Sequence, residues 1–167
     1  ALALMGLNRR PLTTLEGQAL YGGQDLLAMS RRSMRKLRGD RISMIFQEPM
    51  TALNPLARIG SQIAEMFVLH RGLSWSNARP KAVEALAAVQ VPDPEGRARA
   101  YPHQLSGGLR QRVMIAMAMA CRPDLLIADE PTTALDVTVQ AEVLRLIREL
   151  CEREGTAVLL ITHDLAV

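Results

Sequence analysis

An α/β fold built on a parallel sheet is what this sequence predicts, and three observations predict it. Leu125–Ala128 and Ala157–Thr162 are continuous apolar runs with no polar alternation, the pattern of parallel strands covered on both faces. Ile42–Phe46 is a shorter run of the same character. Helices lie between the strands. Leu109, Val113, Ala116 or Met117, and Ala120 recur at helical spacing, as do Val139, Val143, Leu146 or Ile147, and Leu150.

The chain has 167 residues, enough for one domain with a real core. Hydrophobic residues make up 49% and charged residues 22%, the balance of a soluble globular protein. No apolar run has the length needed to cross a bilayer, and no signal peptide with a basic n-region opens the chain. The net charge of +3 is too small to imply a polyanion partner by itself. Cys121 and Cys151, the only cysteines, fall in helical patterns without metal-ligand spacing. They read as reduced packing residues of a cytosolic protein. The sequence starts without Met, inside the latter part of an apolar helix, and stops at Val167, just after a strand and a His-Asp pair. A piece of a longer chain, truncated at both ends, is the expectation.

In chain order, Ala1–Leu7 is the end of that first helix. Gln18–Asp25, with Tyr21-Gly22-Gly23, predicts a turn between short strands at a sheet edge. Arg31, Arg32, Arg35, Lys36, Arg38 and Arg41 form a basic run. Without interleaved aromatic residues it reads as a solvated helix face, and no nucleic-acid partner is expected. After the strand at 42–46, Ile63, Met66, Phe67 and His70 predict one helix, and Val83, Leu86 and Val89 another, with a polar linker at Arg71–Asn77. These two helices make a small insert ahead of the helix at 106–120. Val91–Pro94 contains two prolines and ends the second of them. Gly155 is the C-terminal stop of the helix that starts near Val139.

Four places carry chemistry. Ser106 is a good N-cap, and Gly107 and Gly108 come directly after it at the helix start. Free N–H groups and the positive dipole end suit an anion there, and glycines let it approach the backbone. Leu109 offers no side chain to close a capping box. An ordinary Ser-capped helix is the competing reading. Asp129-Glu130 ends an apolar strand, and the C-terminal edge of a parallel sheet is where α/β proteins bind ligands. Asp at such an end can orient Mg²⁺, and Glu beside it can act as a general base. A helix-capping acidic pair is the alternative. His163 comes after the strand at 157–162 and could hydrogen-bond a terminal phosphate, although a lone His is usually structural. Gln47 comes after the strand at 42–46, and its amide can touch a phosphate or a metal-bound water. Read alone, it is a loop residue.

Gln47, Ser106-Gly107-Gly108, Asp129-Glu130 and His163, in that order, resemble the ATP-binding-cassette ATPases. Leu105–Gly108 is similar to that family's signature motif, Leu125–Glu130 to its Walker B strand, Ala134-Leu135-Asp136 to its D-loop, Gln47 to its Q-loop and His163 to its switch histidine. A narrower likeness lies in Met44–Pro55, Tyr101–Leu105 and Arg110–Met117. These resemble ATPases of bacterial dipeptide and oligopeptide importers, a branch that also holds glutathione and nickel importers.

The resemblance implies a P-loop NTPase-type (RecA-like) parallel sheet core with an inserted α-helical subdomain. Residues 1–58 would be core and edge strands with the Q-loop, about 59–105 the helical insert, and 106–167 the signature helix, Walker B, D-loop and switch histidine. The implied cofactors are ATP and Mg²⁺. Glu130 would be the general base, and Asp129 and Gln47 would serve the metal. Gln47 and His163 would contact the γ-phosphate, and Ser106, Gly107, Gly108 and Asp136 would complete nucleotide binding. The implied partners are a second cassette, as homo- or heterodimer, with two ATP molecules between the pair, and transmembrane permease subunits. An extracytoplasmic solute-binding protein would be linked indirectly. The location would be the cytoplasmic face of the bacterial inner membrane. Two other readings stay open: a superfamily member working in DNA repair or translation, and a non-hydrolysing regulatory cassette. The segment Gln47–Pro55 speaks against the first and Glu130 against the second.

Two positions depart from the family pattern. Leu109 stands where many members have Gln, which leaves the phosphate contacts of Ser106 and the glycines intact. More seriously, no Gly-x-x-x-x-Gly-Lys-[Ser/Thr] occurs in the sequence. This chain by itself is therefore expected to show no saturable ATP hydrolysis, whereas a version extended at its N-terminus does. Comparable turnover by the two in a phosphate-release assay refutes the expectation.

Overall fold

The structure, a computed structural model, describes residues 1–7, 16–47, 52–133 and 135–163. Glu48–Thr51 of the Q-loop segment, Ala134 of the D-loop triplet and the residues after His163 lie outside the described residues. The first seven residues form a helical turn. Met5 N–H donates to Ala1 O (3.3 Å), Leu7 N–H to Leu2 O and Gly6 N–H to Ala3 O (both 2.9 Å), with Gly6 at φ 58°. That pairing is the Schellman closure of a helix, the helix end predicted for Ala1–Leu7.

Strands β1 (Leu20–Tyr21) and β2 (Gln24–Asp25) pair antiparallel around Gly22 and Gly23, with φ 54° and 79°. Positive φ at both turn residues is the type I′ geometry of a tight hairpin. The hairpin is a separate two-stranded sheet rather than the edge of the main one. The Tyr21 hydroxyl donates to Asp124, which also pairs with Arg41, so the hairpin is tied to the base of the main sheet. Helix α1 (Arg31–Leu37) starts at the Ser30 cap and buries Met34 while Arg31, Arg32, Arg35 and Lys36 stay exposed. Arg38 and Arg41 leave this solvated face. Arg38 donates to the carbonyls of Met5 and Gly6 (2.7 and 2.9 Å), which are acceptors at the end of the first turn.

The main sheet consists of β3 (Ile42–Ile45), β4 (Leu125–Asp129) and β5 (Ala157–Ile161), all parallel, in the order β3-β4-β5. Ile42 lies opposite Leu125, Leu125 opposite Ala157, and Asp129 opposite Ile161. β4 alternates between two cores. Leu126 packs with Ile45 and the helical layer, and Ile127 packs with Met5, Leu26, Met34 and Ile42. Coverage on both faces holds for β4 but not for β5, where Val158, Leu159 and Leu160 are 43%, 39% and 40% exposed. Among the described residues β5 pairs only with β4. Ile161 at its end packs against the second core.

Between β3 and β4 come α2 (Ile59–Arg71), α3 (Trp75–Ala88), the short α4 (Pro94–Arg99), a 3₁₀ turn at Pro102–Gln104, and α5 (Gly107–Met119). The polar linker predicted over Arg71–Asn77 shrinks to three residues. Gly72 closes α2 at φ 65°, and the Ser74 side chain accepts from Asn77 N–H, so the helix begins at Trp75. The buried amide of Gln62 holds the loop before α2. It donates to Asn54 O (3.0 Å) and Ala57 O (2.9 Å) and accepts from Asn54 N–H (2.9 Å). Arg112 on α5 donates to Val89 O (3.0 Å) and pairs with Glu142 (3.1 Å) of α6 (Val137–Glu154). It thereby joins three helices. Ile59, Ile63, Leu86, Val113, Leu126 and Leu150 all belong to one core, so the helices and this face of the sheet share their packing.

Cys121 and Cys151 are free and buried, as expected of packing residues. Burial pushes the Cys151 thiol up to about 11. Among the described residues no helix is long and apolar enough to cross a membrane.

A glycine lets α2 cross closely on α4. A Cβ on Gly60 would stand 2.8 Å from Ala98 Cβ and 2.9 Å from Ala98 O. Gly60→Ala gains about 1 kcal/mol of helix propensity, but overpacking against backbone costs about 1–3 kcal/mol. At these distances the steric cost wins. The expected outcome is a net loss of about 1 kcal/mol, measured by urea denaturation; an equal or higher midpoint contradicts this account of the crossing.

Candidate active site

The register of the sheet brings three strand ends together. β4 ends at Asp129, and the next residue, Glu130, adopts φ 46°, a left-handed conformation rare for a side chain of this size. Glu130 N–H bonds Ile161 O at the end of β5 (2.9 Å), so its backbone is fixed by the neighbouring strand. Pro131 then turns the chain.

The Glu130 carboxylate is the centre of the site. Its Oε2 accepts from Gln47 Nε2 at 2.6 Å and from the Thr133 hydroxyl at 2.9 Å, and its Oε1 lies 2.9 Å from His163 Nδ1. An ionised carboxylate only accepts, so the imidazole donates through Nδ1–H. These bonds, His163 first and Thr133 second, hold the Glu130 carboxyl below its ordinary range. Gln47, Glu130 and His163, singled out from three separate stretches of sequence, are thus in direct contact.

Asp129 stands beside this cluster at the strand end, and its carboxylate has no hydrogen-bond partner among the described residues. The Gln47 amide oxygen is likewise open, since the amide is engaged through its nitrogen. A carboxylate and an amide oxygen are hard donors of the kind Mg²⁺ takes. No group of three or more His, Cys, Asp or Glu able to hold a metal occurs among the described residues. The donor set fits the hydrolytic end of a Mg²⁺-nucleotide site.

Ser106 is the N-cap of α5 and accepts from Leu109 N–H at 3.4 Å. No hydrogen bond among the described residues links Ser106, Gly107 or Gly108 to Glu130. The two glycines instead face the start of α6. A Cβ on Gly108 would lie 3.2 Å from Val139 Cγ1, and one on Gly107 would lie 3.7 Å from Leu135 Cδ2. Gly108 therefore has a packing role inside the chain, independent of any ligand. Asp136 caps α6, accepting from Val139 N–H at 3.1 Å.

Two residues of this region were not singled out from the sequence. Thr133 reaches Glu130 across a turn, and only its position three residues after Glu130 hinted at this. Gln140 on α6 donates to Thr132 O and Leu135 O, both at 3.1 Å. It pins the loop between Glu130 and α6, and no sequence signal marks it.

The family described as ABC transporter matches residues 3–133, a range that includes Gln47, the Ser-Gly-Gly start of α5 and the carboxylate pair at the end of β4. The chain belongs to that family. It is 52% identical to the oligopeptide transport ATP-binding protein OppD of Salmonella typhimurium over 100% of its length and 50% of that protein. It is also 52% identical to the dipeptide transport ATP-binding protein DppD of Escherichia coli, over 100% of its length and 51% of that protein. The chain thus spans about half the length of these relatives. Among solved structures, the ATP-binding cassette MJ0796, a dimer in a post-hydrolysis state bound to ADP and Pi, superposes with a TM-score of 0.78 at 31% identity. That match covers 90% of this chain and 64% of that one.

Gln140→Ala removes both anchors of the loop. Amide hydrogen exchange at 132–136 is expected to accelerate by about tenfold, since losing the two bonds costs on the order of 1–2 kcal/mol of local stability. Unchanged exchange shows that the loop is held by other means.

Proposed function

We propose that this chain is part of an ATP-binding and ATP-hydrolysing subunit that energises import of peptides or related small solutes. The observation that carries the reading is the Glu130 carboxylate, ionised and held at the sheet edge by groups from all three strand ends. A carboxylate so placed can take the proton of a water attacking a terminal phosphate. His163 offers an N–H donor that can turn from Glu130 to the phosphoryl oxygens, and Gln47 can make the same exchange. Asp129, with its free carboxylate, would hold Mg²⁺ together with Gln47. A cation held there would neutralise charge on the phosphate oxygens.

Ser106, Gly107 and Gly108 make no hydrogen bond to Glu130 among the described residues, and the two glycines lie against Leu135 and Val139. That separation favours their serving the ATP of a second cassette, with Asp136 and its loop between the two sites. A relative solved as a dimer supports this pairing. Names of relatives as oligopeptide and dipeptide transport proteins support peptides as cargo and permease subunits as partners. They disfavour a role in DNA repair or translation. A solute-binding protein would deliver the cargo from outside. On this reading the protein works at the cytoplasmic face of the inner membrane.

An apolar cavity supports a permease contact. A cavity of about 290 Å³ lies beside Phe46 and Leu53, lined by Met5, Met44, Met66, Met114 and Met117. Flexible thioethers adapt to an apolar helix face, and this groove adjoins Gln47.

In a protein extended to the length of its relatives, Glu130→Gln is expected to retain ATP and to lose turnover by at least about 100-fold, as the loss of a positioned general base does. Phosphate release measured under saturating ATP and Mg²⁺ tests it, and unchanged turnover removes Glu130 from its role.

A further inference from the structure

Gln47, His163 and Thr133 all hold Glu130, but they are not equivalent. Gln47 lies just past β3 and His163 just past β5, so each can leave Glu130 when its strand-end loop engages a nucleotide. Thr133 belongs to the same turn as Glu130. Its N–H lies 3.4 Å from Glu130 O, and its hydroxyl 2.9 Å from Glu130 Oε2 and 3.3 Å from Glu130 O. The one hydroxyl proton goes to the nearer and charged acceptor. The turn is itself fixed: Pro131 restricts its first step, Leu135 N–H donates to Thr132 O (3.0 Å), and Gln140 pins Thr132 O and Leu135 O to α6.

We propose that Thr133 is a positioning residue for hydrolysis: its hydroxyl holds Glu130 Oε2 and so keeps Oε1 aimed at the water when Gln47 and His163 turn to the nucleotide. This rests on the reading of Glu130 as general base. A glutamate free to rotate must be ordered each time it reacts, at a cost in side-chain entropy. A donor within its own turn removes most of that cost before ATP arrives.

The test uses the protein extended to the length of its relatives. Thr133→Val keeps the shape of the side chain and removes the hydroxyl. It is expected to lower kcat between about 10- and 100-fold with KM for ATP unchanged, the mark of a misplaced catalytic group. Thr133→Ser, which keeps the donor, is expected to restore the wild-type rate. Crystal structures with a bound non-hydrolysable ATP analogue and Mg²⁺ should show the Glu130 carboxylate moved from its wild-type position in Thr133→Val and unmoved in Thr133→Ser. Should the valine variant fail to fold, the Thr133→Ala and Thr133→Ser pair reads the same hydroxyl. Wild-type kcat in the valine or alanine variant, a parallel rise in KM, or equal slowing in the serine variant overturns the proposal. Glu130→Gln is the control. If it is inactive while Thr133→Val is normal, Glu130 keeps its role and Thr133 loses its own. If Glu130→Gln turns over normally, both fall.

Discussion

Parallel pairing of β3, β4 and β5 in one register is the constraint on which the rest depends. Ile42 opposite Leu125 and Asp129 opposite Ile161 set all three strands to finish at one level. Residues 47, 130 and 163 are far apart in sequence, yet they meet within hydrogen-bond distance because each is the first or second residue past its strand. A one-residue slip of β5 would reverse its faces and carry His163 away. Backbone bonds such as Glu130 N–H to Ile161 O reinforce the register at the site itself.

The site then illustrates how local strain is retained. Glu130 stands at φ 46°, a conformation that costs on the order of 1–3 kcal/mol. Its backbone is bonded to β5, and its side chain is held by three donors. Gln140 reaches from α6 to brace the adjoining turn. The carboxylate is thereby kept ionised and directed before any ligand is present, which is the condition for a base that acts without reorganisation.

Helical packing gives the glycines of the Ser-Gly-Gly start a second meaning. Gly108 allows α5 to approach Val139 on α6, and Arg112 ties the same helices through Glu142. The Ser-Gly-Gly start of α5 and the start of α6 are thus in direct contact.

Much of this was legible in the sequence. The continuous apolar run of β4, the caps at Ser106 and Gly155, and the order of Gln47, Asp129-Glu130 and His163 are local or one-dimensional signals; β4 and both caps are present, and Gln47 and His163 meet Glu130. What the sequence could not settle is which partners those side chains take. Thr133 and Gln140 are ordinary polar residues until a turn and a helix bring them to Glu130 and its loop. Local propensity and strand-end chemistry were thus determined by the amino-acid order alone. The hydrogen-bond partners of Glu130 and the packing role of Gly108 depend on contacts between distant segments, and only the tertiary structure decided them.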